Sequence, residues 1–157
     1  MKISLIQTGK TSDIHVSELA ELYANRIKKY SPFEIITIPD IKNTRNMPLQ
    51  EQKEKEASKM SQLISPDDWV VLLDEKGKEL KTIEFSVALE KMFFLPKKRI
   101  LFLIGGPWGF AESIYARADF KLSLSKMTFP HQLVRLLFLE QLYRAFTIIK
   151  GEPYHHE

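Results

Sequence analysis

Four short stretches hold the residues whose types and spacing could do chemistry. The first is "LFLIGGPWGF", Leu101 to Phe110, where Gly105, Gly106 and Gly109 follow an apolar run. Glycines at that point let backbone approach a ligand and exchange hydrogen bonds with it, but they serve a plain tight turn equally well. The second is "SKMTFP", Ser125 to Pro130, a backbone-rich loop fixed at its end by proline. The third is "HQLVRLLFLEQLYRAFTIIK", in which His131 and Arg135, and again Glu140 and Arg144, stand four apart and so share a helix face. For the second pair the reading is a helix ion pair. The fourth is the tail "YHHE", which reads either as a frayed terminus or as an arm supplying an aromatic ring and titratable groups.

Several chemistries are excluded or disfavoured. The glycines are spaced G-G-x-x-G, not G-x-G-x-x-G, and no Gly-Lys-Ser/Thr closes a phosphate loop. No cysteine is present, which removes disulfides, thiolate metal sites and cysteine nucleophiles. Four histidines at 15, 131, 155 and 156 show no metal-ligand spacing, so no metal is expected. No Ser/His/Asp arrangement can be placed.

These stretches need elements to hold them. Lys2 to Thr8 alternates as an opening strand, and Thr11, Ser12 and Asp13 offer N-caps to a helix carrying Leu19, Leu22, Tyr23, Ala24, Ile27 and Tyr30. Phe33 to Ile38 is a second strand. Pro48 opens a charged helix, the apolar run Trp69 to Leu73 is a buried parallel strand, and Lys76-Gly77-Lys78 reads as a turn. Thr82 to Phe94 is helical, Ile100 to Ile104 a strand, Glu112 to Ala118 a short helix, Lys121 to Ser123 a brief strand, and His131 to Lys150 a long helix ended by Gly151. Strands alternating with helices make an α/β fold with a mostly parallel sheet.

The chain has 157 residues, which sets one domain over 1–157 as the expectation. Its 44% hydrophobic and 27% charged residues suit a globular protein, and its net charge of +3 permits a polyanionic partner without demanding one. No apolar run reaches membrane-spanning length and the start does not read as a signal peptide, so no membrane association and a cytoplasmic location are expected. The last helix is apolar on most sides, which fits either a subunit interface or burial within one chain.

Taken in order, "LLDEKGK", "FLIGGPWGF", "LSLSKMTFPHQLVRLLFLEQLYRAF" and "GEPYH" resemble the SPOUT methyltransferases, and within them the ribosomal branch that methylates N3 of a pseudouridine in 23S rRNA. The resemblance covers nearly the whole chain. It implies an α/β sheet whose C-terminal part forms a trefoil knot, S-adenosylmethionine as cofactor, a homodimer, and the assembled ribosome as partner. The alternatives are a SPOUT enzyme for another RNA site and a non-catalytic ribosome-binding factor. Carried over residue by residue, Leu73, Gly105, Gly106, Ser125, Lys126, Met127, Thr128, Phe129 and Pro130 are implied to hold the cofactor. His131 and Arg135 match a Pro-His-x-x-x-Arg pattern, and Tyr154 and His155 match a tail that reaches the partner subunit's site. These four are the expected catalytic residues, and Lys28, Lys29, Lys42, Arg45, Arg135 and Arg144 are candidate phosphate contacts. His156 stands where relatives carry Lys or Arg, exchanging a permanent cation for a titratable ring.

Overall fold

The computed structural model describes residues 1–157. Ten elements follow one another: β1 (Lys2–Thr8), α1 (Ile14–Ile27), β2 (Phe33–Ile38), α2 (Leu49–Ser61), β3 (Asp68–Glu79), α3 (Thr82–Met92), β4 (Arg99–Ile104), α4 (Glu112–Arg117), β5 (Phe120–Ser123) and α5 (His131–Ile149). The five strands form one sheet in the order β2-β1-β4-β3-β5, and every pairing is parallel.

Strand alternation divides the core into two. Ile3, Leu5, Val71, Leu73, Ile100, Phe102 and Ile104 point to one face and pack beneath α1, α3 and α5. Ile6, Val70, Leu72, Leu101 and Leu103 point to the other and pack beneath α2 and α4. Strands buried on both faces must be apolar at successive positions, which is why β3 and β4 read as unbroken runs. Helix α5 lies against both α1 and α3. Its Phe138 ring meets Phe102 of β4 with centroids 4.7 Å apart.

Most element boundaries agree with the sequence to within a few residues; Asp13 is the N-cap of α1, accepting from the His15 N–H at 2.8 Å and the Val16 N–H at 3.2 Å. One stretch differs. Lys76-Gly77-Lys78 is not a turn but part of a longer β3. Leu122 of β5 pairs with Leu73 and again with Lys78, so residues 74–77 bow around it. A Cβ on Gly77 would lie 2.7 Å from the backbone N and C of Leu122. Glycine is required here because two backbones nearly touch.

Candidate active site

Parallel α/β sheets bind ligands beyond the carboxyl ends of their strands. There β4 and β5 end, and β3 bows, around a cavity of about 710 Å³. Its walls are Leu73 of β3, Ile104 with the glycine loop after β4, and Leu122 to Ser125 with Met127 to His131 and Val134 after β5.

The glycine loop is a tight turn as well as a cavity wall. The Gly109 N–H donates to the Gly106 carbonyl at 3.2 Å, Pro107 and Trp108 form the tip, and Gly109 takes a φ of +82° that favours glycine. The side on which a Cβ would project is already filled at both leading glycines. On Gly105 it would meet the Phe110 ring at 3.2 Å; on Gly106 it would sit 2.9 Å from a Glu56 carboxylate oxygen. That carboxylate also accepts from the Gly106 N–H at 2.9 Å, tying the loop to α2. The paired glycines let the loop pack on its own supports, and its backbone is left to face the cavity.

The loop after β5 is held by two serines. The Ser123 hydroxyl donates to the Ser125 carbonyl at 3.0 Å, and the Ser125 hydroxyl accepts from the Met127 N–H at 2.9 Å. The N–H groups of Leu124, Lys126, Thr128 and Phe129 have no partner within the protein. Helix α5 then begins at His131 with Pro130 at its N-cap and no side-chain cap, so its first turn adds further unpaired donors.

Of the residues expected to hold a cofactor, Leu73, Gly105, Gly106, Ser125, Met127, Thr128, Phe129 and Pro130 line the cavity, as does His131; Lys126 does not. Arg135 requires correction as a catalytic or phosphate-contacting group. It is 1% exposed and turned away from the cavity, and it donates to the Thr8 carbonyl, to the Gly9 carbonyl at 2.9 Å and to the Thr11 hydroxyl at 3.0 Å. Burial with no carboxylate in hydrogen-bonding reach pulls this guanidinium below its ordinary pKa. Arg135 therefore fastens the start of α5 to the β1–α1 turn, and Gln132 helps by accepting from the Ser12 N–H at 3.0 Å.

Tyr154 and His155 do not reach the cavity of their own chain. Nor is the tail frayed. The Tyr154 ring packs edge-on to Tyr143 at 4.7 Å, lies under the Arg144 guanidinium at 4.6 Å, and donates its hydroxyl to Glu140 at 3.2 Å. Burial, then the hydrogen bond with Tyr23 and the Glu140 charge, pushes this phenol far above its ordinary pKa. Arg144 pairs with Glu140 at 2.5 Å, as the i,i+4 spacing predicts, and so is engaged within the protein. The His155 Nδ1 faces Arg144 Nη1 at 3.3 Å, and its Nε2 is buried without a partner. Because guanidinium only donates, Nδ1 accepts and Nε2 carries the hydrogen, with the Glu157 carboxylate facing it at 3.8 Å, beyond hydrogen-bonding distance.

Residues not singled out from the sequence also line the cavity. Asp74 accepts from the Tyr115 hydroxyl of α4 and from the Lys76 N–H at 2.8 Å, joining the β3 bow to the other layer of the molecule. Burial first, then the hydrogen bond to Asp74, pushes the Tyr115 pKa up to about 12. Lys53 of α2 also lies at the rim. The sequence signals for Asp74 are its place after a buried apolar run and its membership of the "LLDEKGK" motif; Tyr115 and Lys53 give none. No group of three His, Cys, Asp or Glu residues is arranged to hold a metal, and no helix is long and apolar enough to cross a membrane.

A family model described as "Predicted SPOUT methyltransferase" matches residues 1–155. Among curated proteins, one from Parabacteroides distasonis named "Ribosomal RNA large subunit methyltransferase H" is 52% identical over 157 residues, covering 100% of both chains. One of the same name from Christiangramia forsetii is 49% identical over 156 residues, covering 99% of each. Among solved structures, a probable methylase family protein from Haemophilus influenzae Rd KW20 superposes with a TM-score of 0.51 at 12% identity, covering 99% of this chain and 70% of that one. That likeness speaks to the fold alone.

Proposed function

This chain belongs to the SPOUT methyltransferases, a family that uses S-adenosylmethionine, and from that premise we propose that it methylates N3 of a pseudouridine in 23S rRNA of the assembled ribosome. The carrying observation is a cavity walled by two backbone-rich loops in a chain that matches named ribosomal RNA large subunit methyltransferases from end to end.

The cavity suits the cofactor in size and in chemistry. Its volume falls in the range of about 300–1,000 Å³ that accommodates small molecules. The unpaired N–H groups of 124–129 can meet the adenine edge, and Asp74, Glu75 and Glu112 supply negative charge for a cation. Leu73, Gly105, Gly106 and the segment 125–130 would hold the molecule, with Lys126 contributing backbone rather than a lining side chain. When bound, it supplies an electrophilic methyl group on sulfonium sulfur. The protein aligns acceptor and donor and excludes water. N3 of pseudouridine is an imide nitrogen whose proton must leave, a task for a base at the rim. His131 stands there in its own chain, and Tyr154 and His155 reach it from a second subunit.

A homodimer follows from that division. The tail packs on Glu140, Tyr143 and Arg144 of α5 and does not line its own cavity, while Leu133, Leu136 and Leu137 of the same helix are only half-buried within the chain. The unit is one domain over 1–157 working in the cytoplasm. The fold carries a trefoil knot, a reading supported by the β3 bow that closes around Leu122 just before the chain enters α5.

The test is labelled S-adenosylmethionine incubated with this protein and ribosomes from a strain lacking it, followed by mass spectrometry of the nucleosides. The expected product is N3-methylpseudouridine in 23S rRNA. Label in tRNA or in another nucleoside contradicts the proposal.

A further inference from the structure

Trp108 is held at a position where burial in the core does not account for an indole. It lines the cavity yet is 60% exposed. The turn that carries it is stiff: Pro107 fixes one flank, Gly109 takes a positive φ at the other, and Gly106 and Gly109 bridge its base. Glu56 anchors that base to α2. Met127, 75% exposed on the loop after β5, lines the same cavity. Lys53 and Lys76 also lie at the rim, and neither forms an ion pair within the protein.

An exposed indole on a rigid support loses little conformational entropy on binding, and it offers a flat apolar face to a partner. A base withdrawn from its stack presents a complementary face, and flanking cations meet the phosphates that accompany it. We infer that Trp108 is the surface on which the acceptor base stacks, with Met127 on the opposite loop and Lys53 and Lys76 toward the adjoining phosphates. This rests on the RNA-methyltransferase reading above and assigns within it a substrate-positioning residue. Glu75 and Glu112 also line the cavity and would repel phosphate, so the backbone contact falls to Lys53 and Lys76.

The experiment compares wild type, Trp108→Ala and Trp108→Phe in methyl transfer to ribosomes from the strain lacking the protein, with S-adenosylmethionine affinity measured by calorimetry. Trp108→Ala is expected to lower kcat/KM for ribosomes roughly 5- to 100-fold, mostly through KM. Trp108→Phe should recover most of that loss, and cofactor affinity should stay within about twofold for both. Wild-type turnover by Trp108→Ala overturns the inference and leaves the enzymatic reading standing. So does a loss of cofactor affinity that parallels the loss of rate, because Trp108 would then be a wall of the cofactor site. A wild-type protein that methylates no ribosomal RNA overturns both readings together.

Discussion

At the cavity the surfaces offered to a ligand are largely main chain: the glycine turn after β4 and the unpaired N–H groups of residues 124–129. At the tail nearly every contact is a side chain: Tyr154 on Tyr143, Arg144 over Tyr154, Glu140 bonded to both. Backbone recognition depends on where the chain runs, so it is set by residues behind the wall such as Gly77, Arg135 and Glu56. Side-chain recognition depends on the residue itself. Substitutions behind the cavity should therefore act through stability and shape, whereas those at the tail should act on activity with the fold intact.

The severest break is expected at Gly77. A side chain there would strike the backbone of Leu122, and neither strand can yield without unpairing the sheet edge. Gly77→Val is expected to destabilise by about 3 kcal/mol or more in a urea titration. An unchanged midpoint would refute the close approach of β3 and β5.

Arg135 comes next. Arg135→Leu leaves the carbonyls of Thr8 and Gly9 and the Thr11 hydroxyl without their donor. The expected loss is about 2 to 3 kcal/mol, from leaving buried acceptors unsatisfied. Cofactor affinity should fall with it, because the loop 125–130 leads directly into the helix that Arg135 fastens. A stable variant with normal cofactor affinity would restore Arg135 to the list of ligand contacts.

Tyr115→Phe should cost about 1 kcal/mol through the lost hydrogen bond to Asp74. Its signature is pH dependence. Folding raises the Tyr115 pKa, so the folded state holds that proton more tightly than the unfolded chain does. The contribution is whole below about pH 10 and is lost as pH rises toward about 12. The stability gap between wild type and Tyr115→Phe should narrow across that window; a constant gap would mean the phenol is not held by the carboxylate.

The smallest stability effect belongs to the tail. Glu140→Gln weakens a partly exposed i,i+4 ion pair and should cost less than about 1 kcal/mol. Methylation should nevertheless drop clearly, because the position of Tyr154 depends on that carboxylate. Full activity would show that the arrangement of the tail on α5 has no functional weight.

The same contrast explains what could be read before the structure. The strands announced themselves because burial on both sheet faces demands unbroken apolar runs at Trp69 to Leu73 and Ile100 to Ile104. The Glu140–Arg144 pair followed from helix geometry. The β3 bow did not, because Lys-Gly-Lys looks like a turn unless one knows that another strand passes beside it. The place of Arg135 is hidden for a related reason: a basic residue on a helix gives no sign of whether it faces phosphate or backbone carbonyls 126 residues away. The cavity residues emerged mainly through resemblance to a family, since main-chain recognition leaves little trace in side-chain identity. Asp74 and Tyr115 meet across 41 positions and two layers, a juxtaposition no local pattern encodes.

The claim that one working site joins the cavity of one subunit to the tail of its partner is tested most directly by mixed dimers. Gly106→Val, whose side chain would press on Glu56, spoils the cavity, and the double substitution Tyr154→Ala with His155→Ala spoils the tail. Each alone should be nearly inactive on ribosomes. Co-refolded in equal amounts, they should regain about one quarter of wild-type activity, because about half the dimers are mixed and each of those holds one intact site. Activity no greater than that of the separate variants would contradict the shared site and require each chain to work with its own tail.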